Sequence, residues 1–363
     1  MNFDLEKHTI YRCISGSHAY GLARPDSDID IRGIAIPPKK YYLGLSNFEQ
    51  LVSTSPDITI FSLTKFCNLA LQCNPNVIEL LYVDELDIQK MTPIGRRLRE
   101  SRDLFLSTKA KFTFSGYAFA QLKRIRNHYQ WLRRKETIHK PTRAEYNLPD
   151  QPTLPADHRG AIESLIRKEI ESWEVDWDLV DRDKRIAIQE QIENYLSNLT
   201  EGYRLGQIKH EELAFYCAAN KVGIDTNLLE LLEKERKYKS AMDEWHQYQD
   251  WLTNRNPARA ELETKFGFDL KHASHLVRLT RMGKEILTTG KVLVKRPDAE
   301  ELRVIRDGAW TYEQLLEYAE KEQAELDRIY SEGGSPLPRI PDFNRIEQLC
   351  VELTEEFLTT SGE

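Results

Sequence analysis

Cysteine is scarce in this 363-residue sequence: five occur, at positions 13, 67, 73, 217 and 350, and no two form a C-x-x-C pair. So odd and scattered a set excludes a disulfide framework or a zinc knuckle and fits reduced thiols, so a cytoplasmic protein is expected. Long apolar runs are missing too. None approaches the ~18 residues of a membrane span, and the opening MNFDLEKHTI holds no apolar signal core, so no membrane partner is expected. Nor is there an overall basic charge. The net charge of −7 and pI near 5.8 confine any nucleic-acid contact to a local patch. Fixed-period repeats and low-complexity tracts are absent.

What is present divides the chain. Up to about residue 90, β-branched segments (TIYRCIS, IDIRGIAI, QLVSTS, DITIF) alternate with Gly, Pro, Ser and Asp turns and predict strands. From FSLTKFCNLALQ onward apolar residues recur three or four apart, and after Met91 nearly everything predicts helix. The expected fold is α+β, with a mixed sheet and helices over residues 1–105 and a mainly helical region over 106–363. Loops are expected at His139 to His158 and Asn254 to Arg259, both marked by Pro and polar residues. In NPNVIELL, Asn74 is placed to cap the turn that Pro75 opens.

One stretch, ISGSHAYGLARPDSDIDIRGIAI, asks for chemistry. Asp26, Asp28 and Asp30 stand at alternate positions running into an apolar strand. In an extended strand Asp28 and Asp30 share a face while Ile29 and Ile31 turn to the core. Neighbouring carboxylates repel, and divalent cations relieve that; their oxygens suit magnesium or manganese. An EF-hand loop is excluded, since its sixth position would be Ile31 and its twelfth Pro37. A solvated turn before a strand explains the triplet alone equally well. Upstream, Gly16 follows the strand TIYRCIS and lacks a Cβ that would hold a phosphate off the backbone, and Ser17 offers a hydroxyl. No Gly-Lys-Ser/Thr follows, which rules out a Walker P-loop.

Strand, Gly16-Ser17, a short spacer and Asp28-Ile29-Asp30 together resemble the signature of the DNA polymerase beta superfamily of nucleotidyltransferases. The likeness extends through KYYLGL, FSLTKFCNLALQCNPNVIELL, FSGYAFAQLKRI, NPARAELETKFGFDLKHASHLVRLTRMGKEIL and VIRDGAW. These are similar to the RNA-repair-pathway (RlaP or YcgL type) branch, from which Phe268 departs, Tyr being common there. The resemblance implies a polymerase-beta-like core and a metal-dependent enzyme that moves a nucleoside monophosphate from a nucleoside triphosphate to a hydroxyl, most naturally on an RNA end. It implies Mg2+ or Mn2+ on Asp28, Asp30 and a third carboxylate. Asp57, heading DITIF, is chosen for that place, with Glu49 and Glu79 in reserve, although Asp57 also suits a simple cap. Gly16 and Ser17 would hold the phosphates. An adenylyltransferase acting on a protein or small molecule, and a non-catalytic RNA-binding or antitoxin-like module, are the alternatives.

Lys271, His275 and Arg278 fall on one face of a predicted helix, with Leu276 and Leu279 toward the core. A solvated basic face explains them alone; the resemblance assigns them to the triphosphate. A second basic region runs from Lys109 to Arg143, with Glu136 its sole acid. Lys123, Arg124, Arg126, Arg133 and Arg134 are its candidate RNA contacts, and Tyr117, His128, Tyr129 and Trp131 its candidate base platforms. An amphipathic helix with snorkelling cations is the plain alternative.

Overall fold

The computed structural model describes residues 3–25, 27–134, 138–152, 155–171, 218–254 and 257–362. Asp26, Glu136 and Cys217, all named above, lie outside the described residues. Two compact units divide the chain, Met1–Arg134 with Asn256–Glu363, and Lys135–Arg255.

The first unit opens with β1 (Thr9–Ser15), whose apolar positions Ile10, Tyr11 and Cys13 are fully enclosed. β2 (Asp30–Ala35), β3 (Gln50–Thr54), β4 (Asp57–Ser62) and β5 (Ile88–Met91) complete a sheet in the order β3-β4-β2-β1-β5. β2 runs parallel to β4 and antiparallel to β1. The four β-branched segments became β1 to β4, whereas β5, IQKM, carries too little β-branching to predict.

Two strand registers assemble one end of the sheet. Pairing of Ser15 with Asp30 sets Gly16, the next residue, beside Asp30. Pairing of Ile31 with Ile58 sets Asp30 beside Asp57, one residue earlier on each strand. The strand begins only at Asp30, because β1 turns away at Gly16 into the single helical turn α1 (Gly16–Ala19) and offers earlier residues no partner. The expected alternation therefore fails at its start: Asp28 and Ile29 lie in the preceding loop, and Ile29 is 50% exposed.

Helices cover the sheet. α2 (Leu63–Ala70) is capped by Ser62, whose hydroxyl accepts from the Lys65 amide, and it buries Leu63, Phe66 and Cys67. The turn α3 (Pro75–Ile78) is capped by Asn74 as its sequence predicts. α4 (Ala110–Arg133) then packs along a later helix in the same unit. In the second unit, α5 (Ala156–Glu171) and α6 (Thr226–Asn254) lead up to the return of the chain. There α7 (Pro257–Phe266), α8 (Leu270–Thr289), α9 (Ala299–Arg306), α10 (Tyr312–Glu332) and α11 (Phe343–Ser361) complete the first unit. α8 is the central one. Gly283 on it lies against Phe114 of α4, so that a Cβ there would stand 3.0 Å from the phenylalanine Cβ, and the two helices cross closely. One core joins Ile10, Ile34 and Phe66 to Phe114, Leu122, Leu276, Val277 and Met282. The α+β arrangement expected from the sequence, a mixed sheet followed by a mainly helical region, is the one observed.

Candidate active site

At the end of the sheet where Gly16, Asp30 and Asp57 meet, a cleft of about 680 Å3 opens. Asp28, Asp30 and Asp57 line it together with Gly16 and Ser17; α8 contributes Lys271 and His275. Each comes from a different structural cause: α1 follows β1, the Asp pair heads adjacent strands, and α8 begins where Asp269 caps it by accepting from the His272 amide.

Gly16 is a close approach as well as a turn. Its φ of +65° lies in the left-handed region, and a Cβ there would stand 1.9 Å from Oδ2 of Asp30. The missing side chain makes room for the carboxylate.

Arg32 joins the acids. Its Nη1 donates to Oδ1 of Asp57 at 2.9 Å and to the Ile31 carbonyl at 2.9 Å, and its Nη2 lies 3.3 Å from Oδ2 of Asp57 and 3.7 Å from Oδ1 of Asp30. Burial, then the neighbouring Asp57 carboxylate, raises the pKa of Asp30 above the usual range. Asp57 moves the other way, lowered first by its hydrogen bond from Arg32. The two carboxyls are thus pushed in opposite directions, as neighbouring acids that interact are. Glu49 stands apart, paired at 3.0 Å with Lys65. Glu79 lines the cleft but is committed to protein partners, accepting from Arg278 at 2.7 Å and from the Tyr20 hydroxyl.

The cationic face of α8 divides. Lys271 is exposed at the cleft. Arg278, expected at the triphosphate, is 1% exposed and absent from the cleft lining; its guanidinium lies 3.7 Å from the Tyr20 ring centre and pairs with Glu79. Position i+7 along the helix carries it under the cleft wall, where an ion pair replaces solvent. Burial, then nearby Arg278 and other cations, holds His275 well below the usual histidine value, so it is neutral at neutral pH and offers hydrogen bonds rather than charge. Arg24, Arg32 and Arg306 also line the cleft. Sequence reasoning passed over Arg24 and Arg32; Arg32 was legible, being two residues after Asp30 on the same strand face. Arg296 pairs with Glu285 and Asp298 and is structural.

On α4, Lys123, Arg124 and Arg126 are exposed, as are Arg133 and the following Arg134. The aromatics between them are committed elsewhere. Tyr129 stacks on Tyr312 at 3.8 Å and beneath Arg133 at 4.3 Å, Trp131 is 6% exposed, and Tyr117 accepts from Asn74. They do not form the open platforms their spacing predicts, because α4 turns them to the interior. Beyond Arg134, Lys140 lies over Trp245 and Arg143 pairs with Glu235, in the second unit.

Residues 4–141, the part of the chain that holds the whole sheet and the three aspartates, match the model of the RNA repair pathway DNA polymerase beta family. The chain is 27% identical over 127 residues to an uncharacterized 38.9 kDa protein of the nrdC-mobD intergenic region of Enterobacteria phage T4, covering 31% of this chain and 37% of that one. It is 31% identical over 97 residues to the uncharacterized protein YcgL of Bacillus subtilis (strain 168), covering 26% of this chain and 37% of that one. The chain thus spans little more than a third of the length of either relative. No solved structure matches it. No helix among the described residues is long and apolar enough to cross a membrane.

Proposed function

We propose that the protein is a metal-dependent nucleotidyltransferase that moves a nucleoside monophosphate from a nucleoside triphosphate to a hydroxyl on an RNA end. The observation that carries this reading is the convergence of Asp28, Asp30 and Asp57 on one cleft, with a cation, Arg32, already lodged between two of them.

The donor set fits the ion that the family implies. Three carboxylates supply hard oxygen ligands of the kind Mg2+ or Mn2+ prefers, and the guanidinium against Asp30 and Asp57 marks a place where positive charge is stabilised. Asp28 and Asp30 would hold the metal, and Asp57 would complete its shell on the acceptor side. When bound, the metal would acidify the attacking hydroxyl and offset charge on the departing pyrophosphate. The rest of the work falls to the chain. The Gly16 backbone, with the Ser17 hydroxyl, receives phosphate oxygens; Lys271 brings a positive charge to the cleft; neutral His275 donates a hydrogen bond without adding repulsion. Residues 1–105 are assigned the catalytic core and the helical region the acceptor surface, with the exposed cations of α4 meeting RNA phosphates.

The enclosed aromatics of α4 favour one rival, an adenylyltransferase acting on a protein or small molecule, which needs no base platform. Incubation with each labelled nucleoside triphosphate, Mg2+, and either total RNA or total protein separates the two. Label entering RNA supports the proposal; label entering protein alone supports the rival.

A further inference from the structure

Away from the three aspartates, the same cleft ends against Glu263 of α7 and Asp269, the cap of α8. Both are 3% exposed. His128, from α4, faces them. Its Nδ1 lies 3.6 Å from Oε1 of Glu263 and 3.9 Å from Oδ2 of Asp269, and one ligand atom from each of the three residues falls within 4.8 Å of the others. A fourth group adjoins: His272 Nε2 stands 3.6 Å from the same Oδ2 of Asp269.

The two oxygens of Asp269 have separate tasks. Oδ1 accepts the His272 amide and caps α8, while Oδ2 faces both imidazoles. His272 is oriented from behind, its Nδ1 donating to Oε1 of Gln121 at 2.7 Å. With the proton on Nδ1, Nε2 carries the lone pair and points at a carboxylate oxygen. This is the outer-sphere arrangement that fixes the tautomer of a metal-binding histidine. Ligands at about 2.1 Å around a tetrahedral ion stand about 3.4 Å apart, so the His128–Glu263, His128–Asp269 and His272–Asp269 contacts need close by only a few tenths of an ångström.

We propose that His128, Glu263, Asp269 and His272 bind a transition-metal dication of the zinc class. Two imidazoles and two carboxylates suit such an ion better than magnesium, which disfavours nitrogen ligands. The ion ties α4, α7 and the start of α8 together and thereby fixes the helix end that carries Lys271. This site is separate from the proposed magnesium site and does not depend on it.

The test uses the full chain with Asp28→Asn and Asp30→Asn, which weakens the other end of the cleft, dialysed against Co2+ with excess Mg2+. One equivalent of Co2+ should remain, with the visible absorption of nitrogen-and-oxygen coordination, and Zn2+ should displace it. Adding His128→Gln or Glu263→Gln should remove it, and Gln121→Leu should weaken it by about tenfold. Failure of the Asp28→Asn, Asp30→Asn chain to retain stoichiometric Co2+ or Zn2+ would overturn the proposal whether or not the further variants fold. So would Co2+ retained in folded His128→Gln and Glu263→Gln proteins, which would leave the four residues a protein-only polar cluster.

Discussion

A Cβ on Gly16 would stand 1.9 Å from Oδ2 of Asp30, so the glycine and the aspartate occupy one another's space by design of the β1–β2 register. Gly16→Ala imposes a side chain on a left-handed residue, at about 1–2 kcal/mol, and pushes the carboxylate out of place. A lowered melting temperature should accompany a larger loss of Mn2+ binding. Unchanged Mn2+ affinity would separate the glycine from the metal site.

Arg32 sits where a metal ion would compete with it. If its charge opposes that ion, Arg32→Gln should tighten Mn2+ binding, by about tenfold if the relief is about 1.4 kcal/mol. Titration followed by the paramagnetic signal of free Mn2+ reads this directly. Weaker binding would show that Arg32 chiefly holds Asp57 in position.

His275 gives a pH dependence with a definite sign. Its folded pKa lies well below the ordinary 6.5, so the unfolded chain takes up the proton first. The stability this group contributes is full above that ordinary value and is lost as pH falls below it toward the folded value. Melting temperature against pH should fall on that acid side, and His275→Gln should flatten that part of the curve. Parallel curves for both proteins would count against a neutral histidine in the cleft wall.

The RNA surface is tested by charge reversal on α4. Arg133→Glu with Arg134→Glu should abolish RNA binding and leave Mg2+-dependent triphosphate binding intact, since neither residue lines the cleft. Neutralising two contacts instead should reduce the log–log salt slope by about 1.4 for a single strand. RNA bound and extended normally by the reversed protein would make these arginines a solvated face.

Much of this was legible in the sequence, for identifiable reasons. β-branched alternation located β1 to β4, and Asn74-Pro75 announced its own cap. Asp57 could be chosen because it heads a strand, but only the parallel β2–β4 register reveals that Asp30 is its neighbour. Helical spacing placed Arg278 on the face of Lys271 and could not show that this face passes beneath Tyr20, where Glu79 awaits it. Likewise, the mixed basic and aromatic character of α4 was visible, whereas the Tyr312 ring that covers Tyr129 and the burial of Trp131 come with the folded structure. The histidine and acid cluster joins positions 128, 263, 269 and 272, a separation no local pattern spans.

The central claim is that Asp28 and Asp30 hold the metal at which nucleotidyl transfer occurs. The most direct measurement follows transfer from an α-labelled nucleoside triphosphate to RNA with Mg2+ or Mn2+, for wild type and for Asp30→Asn, with circular dichroism confirming the fold of each. Asp30→Asn keeps the side-chain size but removes a ligand charge, and transfer should fall by at least about a hundredfold while the spectrum is unchanged. Near-wild-type transfer by a folded Asp30→Asn protein would contradict the account.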